Sequence, residues 1–235
     1  MIRVAIALLA LPLVAVAAPV PQPESDAARF KKLFGKEVLP KKLGKFELKG
    51  DTLTVTFPKE HVGADDLPLL CPHTARQVEG DFELTAGVRI TAPKEPPAGG
   101  KQWDMGAGLA AWDDEAEKFA DGPWTIFAAR RFDVHHLPER EKYPWWEETP
   151  AYFQQHGHVP EATEGADPTV VRHLRLRRSG DKFTVSVSED GKEWTEQATR
   201  QVDVGKTLKV GVWAYKRVDG PGDVVFENVT LTTGK

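Results

Sequence analysis

HLRLRRSGDKFTVSVSEDGKEW, residues 173–194, alternates twice along its length. Leu174 and Leu176 share one face with His173, Arg175 and Arg177 on the other. After the Ser179-Gly180-Asp181 turn, Phe183, Val185 and Val187 alternate with Thr184, Ser186 and Ser188. A period of two marks a half-buried strand, because successive side chains leave a pleated backbone on opposite sides. Asp190-Gly191 marks a hairpin, since glycine takes positive φ without a Cβ clash. A further strand is expected around Trp194.

The same rhythm runs outward in both directions. Leu53, Val55 and Phe57 alternate with threonines; Phe82, Leu84, Ala86, Val88 and Ile90 share one face of a longer strand. Leu208, Val210, Val212 and Ala214 form another, and Val224 to Leu231 a last one. Residues 106–112 and 124–129 are almost wholly apolar, as in central strands covered on both faces. No long segment has helical period and no repeat of fixed period occurs. Many short strands at steady spacing predict an all-β sandwich or barrel.

The ends and the composition set the compartment. Arg3, an uncharged run from Val4 to Val16 and the small-x-small pattern Ala15-Val16-Ala17 read as a signal peptide over residues 1–17. The run is shorter than the ~20 residues a spanning helix needs. The expectation is export, periplasmic or extracellular, with no membrane span after cleavage. Residues 18–28 read as a linker and 29–235 as one domain, with an insertion at 131–169. The net charge of −4 without a basic block argues against a nucleic-acid partner. A single cysteine, Cys71, allows no internal disulfide and reads as a buried small hydrophobe.

Four ordered blocks resemble a known family. They are Val78-Glu79-Gly80-Asp81-Phe82-Glu83; residues 107–114 (AGLAAWDD); the 174–195 hairpin; and Val210-Gly211-Val212-Trp213-Ala214. Together they resemble a bacterial domain-of-unknown-function family of the concanavalin A-like lectin/glucanase superfamily, sometimes labelled "regulation of enolase". They are also similar to the C-terminal sandwich domain of family 43 β-xylosidases. The resemblance implies a concanavalin A-like (laminin G-like) jelly-roll sandwich of two antiparallel sheets. It implies no settled chemistry, because one fold hosts many functions.

Candidate sites follow from residue type and spacing. Glu79, Asp81 and Glu83 recur at period two, which on one strand places three carboxylates on one face. Some glycoside hydrolases of this superfamily carry such a motif, and Phe30 to Gly35 faintly resembles its 3-keto-disaccharide hydrolase relatives. Gly80 and the match to a non-catalytic strand entry weigh against catalysis. His135, His136, His156 and His158 are loop imidazoles available to Zn²⁺, and Asp113 with Asp114 offers oxygens to Ca²⁺. Both read better as ordinary loop and turn residues, so no cofactor is expected. Glu147 and Glu148 are adjacent and point apart on an extended chain. Asn228-Val229-Thr230 fits a glycosylation sequon, treated as chance.

The insertion holds five prolines and many aromatics, and its aromatics argue for an ordered excursion. Trp103, Trp145, Trp146 and Tyr152 are candidates to stack on sugar rings. Trp112, Trp194 and Trp213 read as packing residues. The leading expectation is a non-catalytic module binding carbohydrate or a cell-surface glycan. The alternatives are a glycoside hydrolase-like enzyme acting on a disaccharide or polysaccharide, and a structural or adhesive surface domain without a small ligand.

Overall fold

The computed structural model describes residues 24–40, 43–58, 68–91, 103–113, 125–134, 146–153, 157–159, 162–164, 167, 169–217 and 222–234. Helix α1 (Asp26–Phe34) precedes β1 (Lys36–Val38), β2 (Lys45–Lys49) and β3 (Thr52–Thr56). A single 3-10 turn at Pro68–Leu70 leads into β4 (His73–Glu79), β5 (Phe82–Thr91), β6 (Trp103–Trp112) and β7 (Ile126–Val134). Four short strands follow: β8 (Trp146–Glu148), β9 (Ala151–Phe153), β10 (Gly157–Val159) and β11 (Ala162–Glu164). The chain closes with β12 (Arg172–Ser179), β13 (Lys182–Ser188), β14 (Thr195–Gln201), β15 (Thr207–Lys216) and β16 (Asp223–Thr233).

These strands make two antiparallel sheets. The first is ordered β1-β4-β15-β6-β7-β8-β11, with β9 also on β7 and β10 on β9. The second is ordered β14-β13-β12-β5-β16-β3-β2. The core lies between them. Leu84, Val88, Leu174, Leu176, Phe183 and Phe226 come from one sheet, and Met105, Leu109, Ile126, Phe132, Val210 and Val212 from the other. Leu174, Leu176, Phe183 and Val185 point inward as the alternation predicts, but the register shifts between Val185 and Ser186, so that Ser186 and Ser188 are buried and Val187 is half-buried.

Residues 104–112 of β6 and 126–130 of β7 are buried on both faces, as the almost wholly apolar runs 106–112 and 124–129 predicted. On the face away from the main core, Trp112, Trp213, Tyr215, Phe127 and Ala110 form a second buried cluster. Trp112 and Trp213 are packing residues, each 1% exposed.

Three expectations need restating. Residues 131–169 are no plain loop: Arg131 to Val134 complete β7, and β8 to β11 widen the first sheet. α1 opens at Asp26, inside the stretch expected as linker, with the Ser25 side chain accepting from Ala28 N. Trp194 lies in the turn before β14, with the Arg175 guanidinium 4.5 Å from its ring centroid.

The sequon has a structural reading too. β16 shifts register between Glu227 and Thr230, where Asn228 takes φ +52. Asparagine tolerates this left-handed conformation better than most residues. The bulge resets the parity of the strand, so Val224 and Phe226 face the core before it and Val229 and Leu231 after it.

Candidate functional site

A polar pocket of about 550 Å³ opens at one end of the sandwich, between β8 and the β13–β14 hairpin. Glu147, Thr149 and Arg172 line one side; Val187, Ser188, Glu189, Asp190, Glu193, Thr195 and Gln197 line the other. Cavities of some 300–1,000 Å³ hold small ligands.

The hairpin wall is built by local hydrogen bonds. Ser188 Oγ accepts from Gly191 N at 2.9 Å, and Asp190 Oδ1 accepts from Lys192 N at 2.8 Å and Glu193 N at 3.0 Å. Gly191 sits at φ +73, the conformation expected of Asp-Gly. The backbone N–H groups of Glu193 and Lys192 hold the Asp190 carboxyl below its usual value. A carboxylate depressed in this way contributes stability above its unfolded pKa, near 3.8, and loses it as pH falls through the lower folded value. Asp190→Ala is therefore expected to be less stable than the wild type at neutral pH, with the gap closing below about pH 3.8. Urea unfolding at stepped pH checks this; a gap that stays constant with pH contradicts it.

The opposite wall rests on a buried ion pair. β7 and β8 pair antiparallel, with Phe132 opposite Glu147 and Arg131 opposite Glu148. Arg130 and Glu147 point inward and are each 1% exposed. Arg130 Nε donates to Glu147 Oε1 at 2.7 Å. Its Nη1 donates to the carbonyls of Val88, at 2.8 Å, and Val170; its Nη2 donates to that of Asp167 at 3.2 Å. Burial pushes the Arg130 guanidinium below its usual value, against the pull of Glu147. Arg172 Nε lies 3.5 Å from Glu147 Oε1, and its Nη1 donates to Glu189 Oε1 at 2.9 Å. Burial works against the Arg172 charge, but Glu189 and Glu147 outweigh it and raise its pKa. Glu147 Oε2 is buried and has no hydrogen-bond partner.

The neighbouring pair faces the other way. Arg131 donates to both carboxylate oxygens of Asp104 at 3.1 Å and lies 3.7 Å from Glu148. Tyr215 donates to Asp104 Oδ1 at 2.7 Å. Burial pushes the Asp104 carboxyl up, against the pull of Arg131, Tyr215 and Arg217. Glu147 and Glu148 thus serve opposite sides of one sheet, as their adjacency implied.

The chain folds as an all-β sandwich of two antiparallel sheets, as expected. Among solved structures it is similar to a functionally unknown protein from Saccharomyces cerevisiae, at 12% identity and a TM-score of 0.58, covering 85% of this chain and 96% of that one. It is also similar to the carbohydrate-binding module CBM66 from Bacillus subtilis, at 12% identity and a TM-score of 0.43, covering 81% of this chain and 92% of that one. A marine PL7 alginate lyase from Zobellia galactanivorans matches at 9% identity and a TM-score of 0.49, covering 80% of each chain. No family model and no curated protein matches the chain.

The residues singled out from sequence are scattered. Glu79, Asp81 and Glu83 do not share a strand face. Glu79 ends β4 in the first sheet, Gly80 turns the chain at φ +75, and Glu83 lies on β5 in the second. Asp81 works in the turn, accepting from Gly180 N at 2.7 Å. None of the three lines the pocket.

Tyr152 is half-buried and stacks on Phe127 at 4.8 Å between ring centroids. It belongs to the second cluster and not to the pocket. Trp103 opens β6 opposite Val134, and Trp146 pairs with Asp133 and Glu164. Trp145, His135, His136, His156 and Asp114 lie outside the described residues. His158 holds a place in β10 opposite Tyr152, and Asp113 follows β6. Among the described residues no three His, Cys, Asp or Glu side chains gather as metal ligands. None of the described helices is long and apolar enough to cross a membrane. Cys71 is buried and forms no disulfide.

Sequence reasoning passed over Arg130 and Arg172. The available signal was Arg130-Arg131 inside an otherwise apolar strand, since a buried arginine requires a buried partner.

Proposed function

We propose that this protein is an exported, non-catalytic carbohydrate-binding sandwich whose pocket between β8 and the β13–β14 hairpin receives a sugar unit. The observation that carries the reading is the polar pocket of about 550 Å³, lined by carboxylates, hydroxyls, an amide and a guanidinium. Arg172, Ser188, Thr195 and Gln197 offer donors and acceptors to the hydroxyls of a sugar. Export rests on the signal-peptide reading of residues 1–17. Kinship with the bacterial domain-of-unknown-function family is part of the same proposal and rests on the four sequence blocks. The hydrolase alternative rested on Glu79, Asp81 and Glu83, which lie apart, and on the resemblance of Phe30 to Gly35.

A glycan array followed by calorimetry tests the reading. Binding should be abolished by Gln197→Trp, which fills the pocket, and retained in Tyr152→Ala. Loss in Tyr152→Ala or in a Trp145→Ala/Trp146→Ala double variant, with Gln197→Trp still binding, would move the site to the aromatic side. No glycan bound by the wild type would overturn the proposal.

A further inference from the structure

We propose that the outer face of the second sheet binds a polyuronate, a glycan with a carboxylate on each sugar, through Arg175 and Arg177. This goes beyond the pocket, which neither arginine lines. Leu174 and Leu176 face the core, so Arg175 and Arg177 leave β12 on the solvent side. Strand geometry sets their Cα atoms about 7 Å apart there.

Both guanidiniums are without a carboxylate partner among the described residues. Arg175 lies 4.5 Å from the Trp194 ring centroid, and its Nη2 donates to Ser186 Oγ at 3.3 Å. These contacts orient its planar fork and leave the other N–H groups unclaimed. Arg177 is exposed and makes no hydrogen bond or ion pair among the described residues. Arg89, on the same face, differs: it donates to Glu227 at 3.4 Å. Glu83 stands opposite Arg177 in register without bonding to it, and Glu196 accepts from Thr199 Oγ1 at 2.7 Å.

Hydroxyls flank the pair. Thr85 stands opposite Arg175 on β5, and Thr184 opposite Arg177 on β13. Two unclaimed positive charges side by side repel, and an anion laid across them relieves the repulsion. A guanidinium fork matches the two oxygens of a carboxylate, and such charge-assisted bonds are roughly twice as strong as neutral ones. The threonines can bond the sugar hydroxyls beside it. A polymer suits an open face better than a single sugar, because linked weak contacts reinforce one another.

Calorimetric titration of the whole chain tests this with polygalacturonate, neutral dextran and a sulfated galactan of equal charge density. Polygalacturonate should bind tightest, and less tightly as salt rises. Arg175→Gln/Arg177→Gln should weaken it by about tenfold or more. Arg177→Gln alone changes a side chain that bonds to nothing, so it should fold and weaken binding by about threefold or more. Arg175→Lys/Arg177→Lys keeps the charge without the fork and should fall between wild type and the double glutamine variant. Gln197→Trp, which fills the pocket, should bind polygalacturonate like the wild type. Dextran bound equally well, tighter binding of the sulfated galactan, or wild-type affinity in the glutamine variants overturns the proposal. Loss of binding in Gln197→Trp moves the polymer to the pocket and also overturns it. Absence of polygalacturonate binding overturns it and leaves the pocket reading to its own glycan array.

Discussion

Arg130→Met is expected to lower the unfolding free energy by about 3–5 kcal/mol, because it strands the Glu147 carboxylate in the interior without its counter-charge. The side chains of both partners are almost fully enclosed, at 1% and 2% exposure. The substitution also frees the carbonyls of Val88, Val170 and Asp167, which Arg130 now ties together. Arg172 compensates only in part, since it stands 3.5 Å from Glu147 and is shared with Glu189. The double variant Arg130→Met/Glu147→Leu should recover much of the loss, since apolar residues in place of a buried pair are often tolerated. Urea unfolding of both variants checks the cycle. A single variant within about 1 kcal/mol of the wild type would mean that water already reaches Glu147 and screens it.

Gly211→Ala is expected to be comparably damaging for a different reason. β15 and β4 pair from Thr207–Glu79 to Val210–Arg76 and again at Trp213–His73. Between these points Val212 N donates to Thr74 Oγ1 at 3.0 Å instead of to a backbone carbonyl. A Cβ on Gly211 would fall 1.8 Å from the Thr74 carbonyl oxygen. That oxygen belongs to the backbone of a neighbouring central strand and cannot rotate away. The sheet must open locally, at a cost of about 3 kcal/mol or more, or the protein fails to fold. Gly205→Ala is the control: nothing lies closer than the Thr207 carbonyl at 3.8 Å, and the change should stay within about 0.5 kcal/mol. Equal stability of the two variants in urea would show that the β4–β15 approach is looser than described.

How much of this was readable from the chain depends on how local the cause is. The β12–β13 hairpin was legible because its pattern is set by nearest neighbours and by the Ser179-Gly180-Asp181 turn. The E-x-D-x-E motif misled because period two assumes an unbroken strand. Gly80 takes positive φ there and sends Glu79 and Glu83 to different sheets. The short strands β8 to β11 lie in a Pro-rich stretch of little alternation, and three residues are too few to show a period. β8 and β9 form because β7 offers them an edge, and β10 and β11 pair onto these in turn, which no window of sequence displays. The pocket was illegible for the same reason: Glu147 and Asp190 meet through the sandwich. Only the buried arginine left a trace, as a charge inside an apolar run.

The hairpin wall of the pocket has a further consequence. Ser188, Asp190 and Gly191 fix its shape by bonds among themselves, while the sheet beneath is held by Phe183 and Val185. Shape and foundation are separate. The exposed positions Glu189, Lys192 and Glu193 therefore form an exchangeable set. Drift or design can rewrite the rim, and with it the choice of ligand, while the two sheets keep their assembly unchanged.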